Sequence, residues 1–160
     1  MALPMGSLVL TLALLSAIQL VCSAPESTYY IRPAPDTPCP AEPCLTLSEY
    51  AQGIDHFFTS NTTLVFLPGD HSLDRDVVIA NVTRIAVLGD PTSLPEITSR
   101  VTCISPAALV FQNISELQLS GMEVSFCGSD NVPAILVSSV SQCEITYSSL
   151  QESQGTSLLA

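Results

Sequence analysis

The feature that most restricts this chain is internal repetition. "VIANVTRIAVLGD" from Val78 and "VFQNISELQLSGM" from Val110 carry one pattern at an offset of 32 residues. Asn81 answers to Asn113, Val82 to Ile114, Thr83 to Ser115, Ile85 to Leu117, Val87 to Leu119 and Gly89 to Gly121. A looser copy, "LVSSVSQCEITYS" from Leu136, follows at an offset of 26, with Ser139, Val140, Cys143 and Ile145 in the places of Asn113, Ile114, Leu117 and Leu119. Repeats of this length imply stacked units, none of which can bury its apolar face alone.

The repeating unit reads as short strands. In "LQLSGMEVSF", Leu117 and Leu119 share one parity, and Met122, Val124 and Phe126 share the other. The phase shifts at Gly121, where a bend or bulge lets both strands keep their apolar sides inward. A chain that turns repeated corners with one face always inside makes coils of a parallel β-helix, stacked ~4.8 Å apart. Upstream, "TTLVFLPGDHSL" is strand, turn and strand, the first rung turning a corner at Pro68-Gly69. Before it, "TLSEYAQGIDHFFTSN" has helical periodicity: Leu47, Tyr50, Ala51, Ile54, Phe57 and Phe58 form one apolar stripe. Thr46 and Glu49 have capping-box spacing. The stripe predicts an amphipathic helix over 46–60 that covers the open apolar end of the first coil. Its polar face has no Lys or Arg to meet acidic lipid headgroups.

These motifs carry a resemblance. The order of capped helix, "LVFLPGDHSL", "VVIANVTRIAVLG" and "LVFQNISELQLSGMEVSFCGSDN" resembles the entry into right-handed parallel β-helix proteins of the pectin-lyase-like superfamily. It is most similar to the extracellular animal proteins described as right-handed β-helix domain-containing. In those, as here, a "PCPxxPCLTLSxYA" segment precedes the helix and "CG" follows the strand near Phe126. The resemblance spans Pro38 to about Thr156, and its motifs speak for the fold more than for chemistry. It implies an all-β chain, a right-handed parallel β-helix of about three coils with an N-terminal capping α-helix. Such proteins usually carry more coils, so this chain is expected to be a truncated member, open at its C-terminal end. The expected organisation is a signal peptide at 1–24, a Pro/Cys-rich segment at 25–45, the capping helix at 46–60 and the coils at 61–160.

The signal peptide rests on "LVLTLALLSAIQLVC", Leu8–Cys22, followed by the small residues of "VCSA". The apolar run is short for a membrane span, which needs about 20 residues. No later segment reaches spanning length. The net charge is −11, with four Arg and no Lys. That excludes nucleic acid as a natural partner, because phosphate binding needs a basic footprint, and it disfavours polyanionic substrates. Without Cys22, five cysteines remain. Cys39 and Cys44 lie in a Pro-stiffened loop where a small disulfide can close. Cys103 and Cys127 lie 24 residues apart, close to one coil, so stacking brings them within bonding reach. Cys143 aligns with inward Leu117 and is expected to be a buried free thiol. No His stands near these cysteines at metal-ligand spacing, and no metal or cofactor is expected.

Three N-glycosylation sequons begin at Asn61, Asn81 and Asn113. Asn61, in a polar loop, is the best acceptor. Asn81 and Asn113 occupy equivalent positions and either carry glycans or stack inward as a hydrogen-bonded ladder; glycans are the preferred reading.

A catalytic constellation is not legible. Asp70, Asp74 and Asp76 in "GDHSLDRD" are the densest acidic cluster, but calcium needs about six to eight oxygen ligands, and a solvated turn is the plainer reading. Glu116, Glu123 and Glu144 fall on strands without matching acids in the other copies, and read as outward solubility residues. His56 and His71 have no nucleophile pattern around them, and Arg75, Arg84 and Arg100 show no arrangement about the acids. The expected role is a secreted or cell-surface repeat module, non-catalytic, structural or adhesive, binding extracellular carbohydrate or protein. The alternative is a carbohydrate-active enzyme, a polysaccharide lyase or glycosidase, or a remnant of one. The step from fold to binding is analogy.

Overall fold

The structure, a computed structural model, describes residues 26–51, 61–125, 127, 133–151 and 158–159. Twelve strands and one short helix follow in order: β1 (Ser27–Arg32), β2 (Cys44–Thr46), α1 (Leu47–Ala51), β3 (Thr62–Phe66), β4 (Gly69–Leu73), β5 (Val77–Ala80), β6 (Arg84–Leu88), β7 (Ser99–Cys103), β8 (Leu109–Ser120), β9 (Met122–Ser125), β10 (Ile135–Thr146), β11 (Ser149–Gln151) and β12 (Leu158–Leu159). The chain is mostly β, and every strand pairing among the described residues is parallel. One sheet runs β12-β10-β8-β6-β3-β1-β2, with β5 against the start of β8; the other runs β11-β9-β7-β4. From β3 onward the chain passes back and forth between the two sheets, with β5 and β6 successive in the first, and each return lays it beside an earlier strand in the same direction.

The register reproduces the sequence repeat. Ile85 pairs with Leu117 and Leu117 with Cys143, while Val87 pairs with Leu119 and Leu119 with Ile145. Side chains alternate along a strand, and Ile85, Val87, Leu117 and Leu119 all point into one buried cluster with Ile31, Leu64, Phe66, Phe111 and Val124. Where the repeat aligns Asn81, Asn113 and Ser139, the backbone turns left-handed each time, with φ of 60°, 52° and 55°. Asn tolerates that conformation better than other side chains. The expected phase change at Gly121 is a bend with φ 71°, followed by buried Met122 and Val124. Gly89 lies directly over it: a Cβ there would overlap the Gly121 carbonyl oxygen.

Only the start of the expected helix falls within the described residues. Of the span 46–60, the described residues hold one turn, Leu47–Ala51; Ile54, Phe57, Phe58 and His56 lie outside them, as does the signal segment 1–24. The capping box at Thr46 is formed: Thr46 N–H donates to Glu49 Oε2 at 2.7 Å and Glu49 N–H to Thr46 Oγ1 at 3.3 Å. The bond from the Thr46 backbone, with that from its hydroxyl, holds the Glu49 carboxyl below its ordinary range. Leu47 and Tyr50 are buried against the apolar cluster.

Two expectations about burial fail, for one reason. Cys143 is an exposed free thiol, and Ile145 is 41% exposed. Both occupy the inward register of their partners Leu117 and Leu119. Yet β12 pairs only with Ile135 and Leu136, and the second half of β10 has no strand over it among the described residues.

Candidate functional site

The most developed surface feature lies on the outer face of β6, β8 and β10. Residues between the inward positions point outward, and parallel register stacks them into two rows: Arg84–Glu116–Gln142 and Ala86–Gln118–Glu144. The small Ala86 leaves room beside longer neighbours. Arg84, Glu116, Gln118, Gln142 and Glu144 line an open cleft of about 170 Å³. Arg84 Nε approaches Glu116 Oε2 at 3.5 Å, with the two side chains 58% and 55% exposed. Water screens such a pair, so its worth lies in holding the two groups in place, within ~1 kcal/mol. The cleft thus offers one cation, two carboxylates and two planar amides, each amide able to donate and accept. It can hydrogen-bond a polyhydroxylated ligand or an extended peptide.

The sequence treats these residues as unrelated, although the signal was available. The offset of 32 carries Arg84 onto Glu116, and the offset of 26 carries Glu116 onto Gln142 and Gln118 onto Glu144. The repeat is evident where like residues recur, and these positions carry unlike ones.

The second sheet carries an ion-paired row. Arg100 on β7 sits between Asp70 on β4 and Glu123 on β9, its Nε 2.7 Å from Glu123 Oε1 and its Nη1 3.4 Å from Asp70 Oδ1. Burial by itself would raise the Glu123 carboxyl, but hydrogen bonds from Arg100 and Ser125 and the Arg100 charge carry it below the ordinary range. Here sequence gave no guide, since the row spans steps of 30 and 23 residues. The acids of "GDHSLDRD" do not converge. Asp70 meets Arg100, Asp74 is paired with Arg75 at 3.1 Å, and Asp76 Oδ1 accepts the Ala108 N–H at 2.9 Å. No group of three or more metal-ligating side chains occurs among the described residues. His71 is interior, 1% exposed.

The sulfur and sequon positions are also placed. Cys39 is bonded to Cys44 and Cys103 to Cys127, with Cα separations of 6.2 and 4.9 Å. Asn61 is half-buried, with φ 63°. Asn81 and Asn113 are exposed, and Asn113 Nδ2 donates to Asn81 Oδ1 at 3.2 Å. Of the two expectations, glycans or an inward ladder, the inward placement is not found: the bond between the two amides exists, and it lies on the outside. The left-handed backbone at both positions aims the amides away from the core while the parallel strands stay in register.

No protein-family model matches the chain, and no curated protein and no solved structure is similar to it.

Proposed function

We propose that the chain is a secreted or cell-surface module of the right-handed parallel β-helix type, similar to the right-handed β-helix domain-containing proteins of animals. In this reading residues 1–24 are its signal peptide and α1 belongs to an N-terminal cap. The all-parallel pairing and the alternation of the chain between two sheets support the fold. Two disulfides fit an oxidising compartment, and no helix among the described residues is long and apolar enough to cross a membrane. The module binds, without catalysis, a neutral or cationic extracellular carbohydrate or protein segment along the outer face of β6, β8 and β10.

The observation that carries this reading is the cleft of about 170 Å³ lined by Arg84, Glu116, Gln118, Gln142 and Glu144. Its groups bond hydroxyls and amides, and a net charge of −11 turns polyanions away. The test is to probe the secreted chain on glycan and extracellular-protein arrays beside Gln118→Ala/Glu144→Ala. The ligands retained by the native chain are expected to be neutral or basic, and the double variant to bind them at least tenfold more weakly. Equal retention by both chains sinks the reading.

One observation favours a carbohydrate-active enzyme as second reading: Glu116 and Glu144 line the same cleft beside Arg84. Paired carboxylates about 5–9.5 Å apart serve glycoside hydrolysis. Turnover of a neutral polysaccharide, abolished in Glu116→Gln, would replace binding by catalysis.

A further inference from the structure

The inner row of the second sheet holds a residue that packing alone does not call for. Along β4, β7 and β9 the register aligns His71, Val101 and Val124, all buried. Two coils fill this position with valine and the first uses an imidazole, 1% exposed, against the edge of Phe66 at 5.0 Å.

The imidazole is fastened to the corner between β3 and β4. His71 Nε2 lies 2.8 Å from the Leu67 carbonyl oxygen, which fixes the proton on Nε2. The Ser99 hydroxyl bonds the same oxygen at 3.2 Å and that of Phe66 at 2.9 Å. The Leu67 N–H donates to Ile31 at 2.9 Å, and Gly69 N–H to Thr98 at 2.9 Å. Leu67 thus joins the end of β3 to β1 through its N–H and to β4 and β7 through its carbonyl, and the ring's other nitrogen, Nδ1, is buried without a hydrogen-bond partner.

We propose that His71 is an acid-sensitive latch on this corner, closed at neutral pH and released by protonation of Nδ1. The added proton places a full charge in a site sealed from water. The charge that acts on it is Asp70 on the same strand, itself turned outward to Arg100 at 3.4 Å; Arg32 on β1 faces the ring with its backbone, while its guanidinium reaches Glu49 of α1 at 3.9 Å. Burial holds the imidazole below its ordinary range, against the pull of the Leu67 and Arg32 carbonyls and of Asp70. The folded state therefore binds the proton less readily than the unfolded chain. Stability is complete above the unfolded value of about 6.5 and falls as pH drops from there toward the folded value. The inference is independent of what the outer cleft binds.

The experiment is amide hydrogen exchange of the full secreted chain from pH 7.5 to 5.0, corrected for intrinsic exchange, in the native protein, His71→Val and His56→Gln. At Leu67 and Gly69 the native protein and His56→Gln should lose protection on acidification, by up to tenfold per pH unit. His71→Val, with the residue its stacked neighbours use, should lose none of this protection to acid. The same acid response in His71→Val, or none in the native chain, overturns the latch. An NMR titration of the native imidazole decides the matter if the variant does not fold: a midpoint below the free value supports it, and one at or above that value refutes it.

Discussion

Strand β8 and the second half of β10 carry the same pattern in the same register, with opposite outcomes. Leu117 and Leu119 are 2% and 4% exposed, whereas Ile145, one strand along, is 41% exposed and Cys143 is open to solvent. The side chains are comparable and their strand parity is identical. What differs is the neighbour: β8 lies between β6 and β10, and β10 meets β12 only at Ile135 and Leu136. Periodicity fixes direction, and a covering strand fixes burial.

The comparison can be broken most directly by truncation. Leu117→Ala should cost ~2–5 kcal/mol, the range for a buried leucine, and Ile145→Ala only a small fraction of that, both read from urea unfolding. Similar losses at the two sites would mean that β10 is covered in solution. Next in size is the covalent link beside β7 and β9 of the second sheet. Replacing Cys103 and Cys127 by Ala should lower stability by ~2–4 kcal/mol, while Cys143→Ser should leave the unfolding midpoint within error. Native-state alkylation gives the same contrast chemically, with Cys143 labelled and Cys39, Cys44, Cys103 and Cys127 protected.

A smaller effect sharpens the comparison at the corner. Gly89→Ala forces a methyl into the Gly121 carbonyl and should cost ~1–3 kcal/mol. Tyr147 follows Thr146 as Gly121 follows Ser120, its paired residue, and has φ 47° with its side chain 65% exposed. Tyr147→Gly relieves the left-handed backbone and should stabilise by ~1 kcal/mol. A thermal shift in the opposite direction would show that the last corner is held by the tyrosine side chain.

The smallest expected change concerns the outer turn. Ser139 holds the left-handed position that Asn occupies at 81 and 113. Ser139→Asn should raise stability by a few tenths of a kcal/mol, since Asn enters this conformation more readily. No gain in a melting curve would mean that the amide at this step contributes nothing to holding β10 in place.

Much of this architecture is legible in the sequence, because a repeat is a statement about register. The offsets of 32 and 26 pair Ile85, Leu117 and Cys143 as the strands do. A separation of 24 residues, near the length of one repeat, places Cys103 close to Cys127, and the parity switch places Gly121 at the change of phase. Other features escape for physical reasons. The exposure of Cys143 depends on what lies above it, which no local pattern encodes. The outward Asn81–Asn113 bond depends on a backbone dihedral. The Arg84–Glu116 contact was encoded, but polar positions repeat by place and not by residue type, so a comparison of like with like passes over it. Arg100 joins Asp70 and Glu123 across unequal steps, where loops of different length hide the register.

The bare flank of β10 has a consequence for the behaviour of many molecules together. Its outward amides and carbonyls beyond Leu136 meet no strand among the described residues, and such a rim is a template on which a foreign extended segment can lie down. Glu144 projects beside it, and like charges brought face to face discourage two such rims from joining. A charged side chain on such a rim is a gatekeeper against fibrous growth.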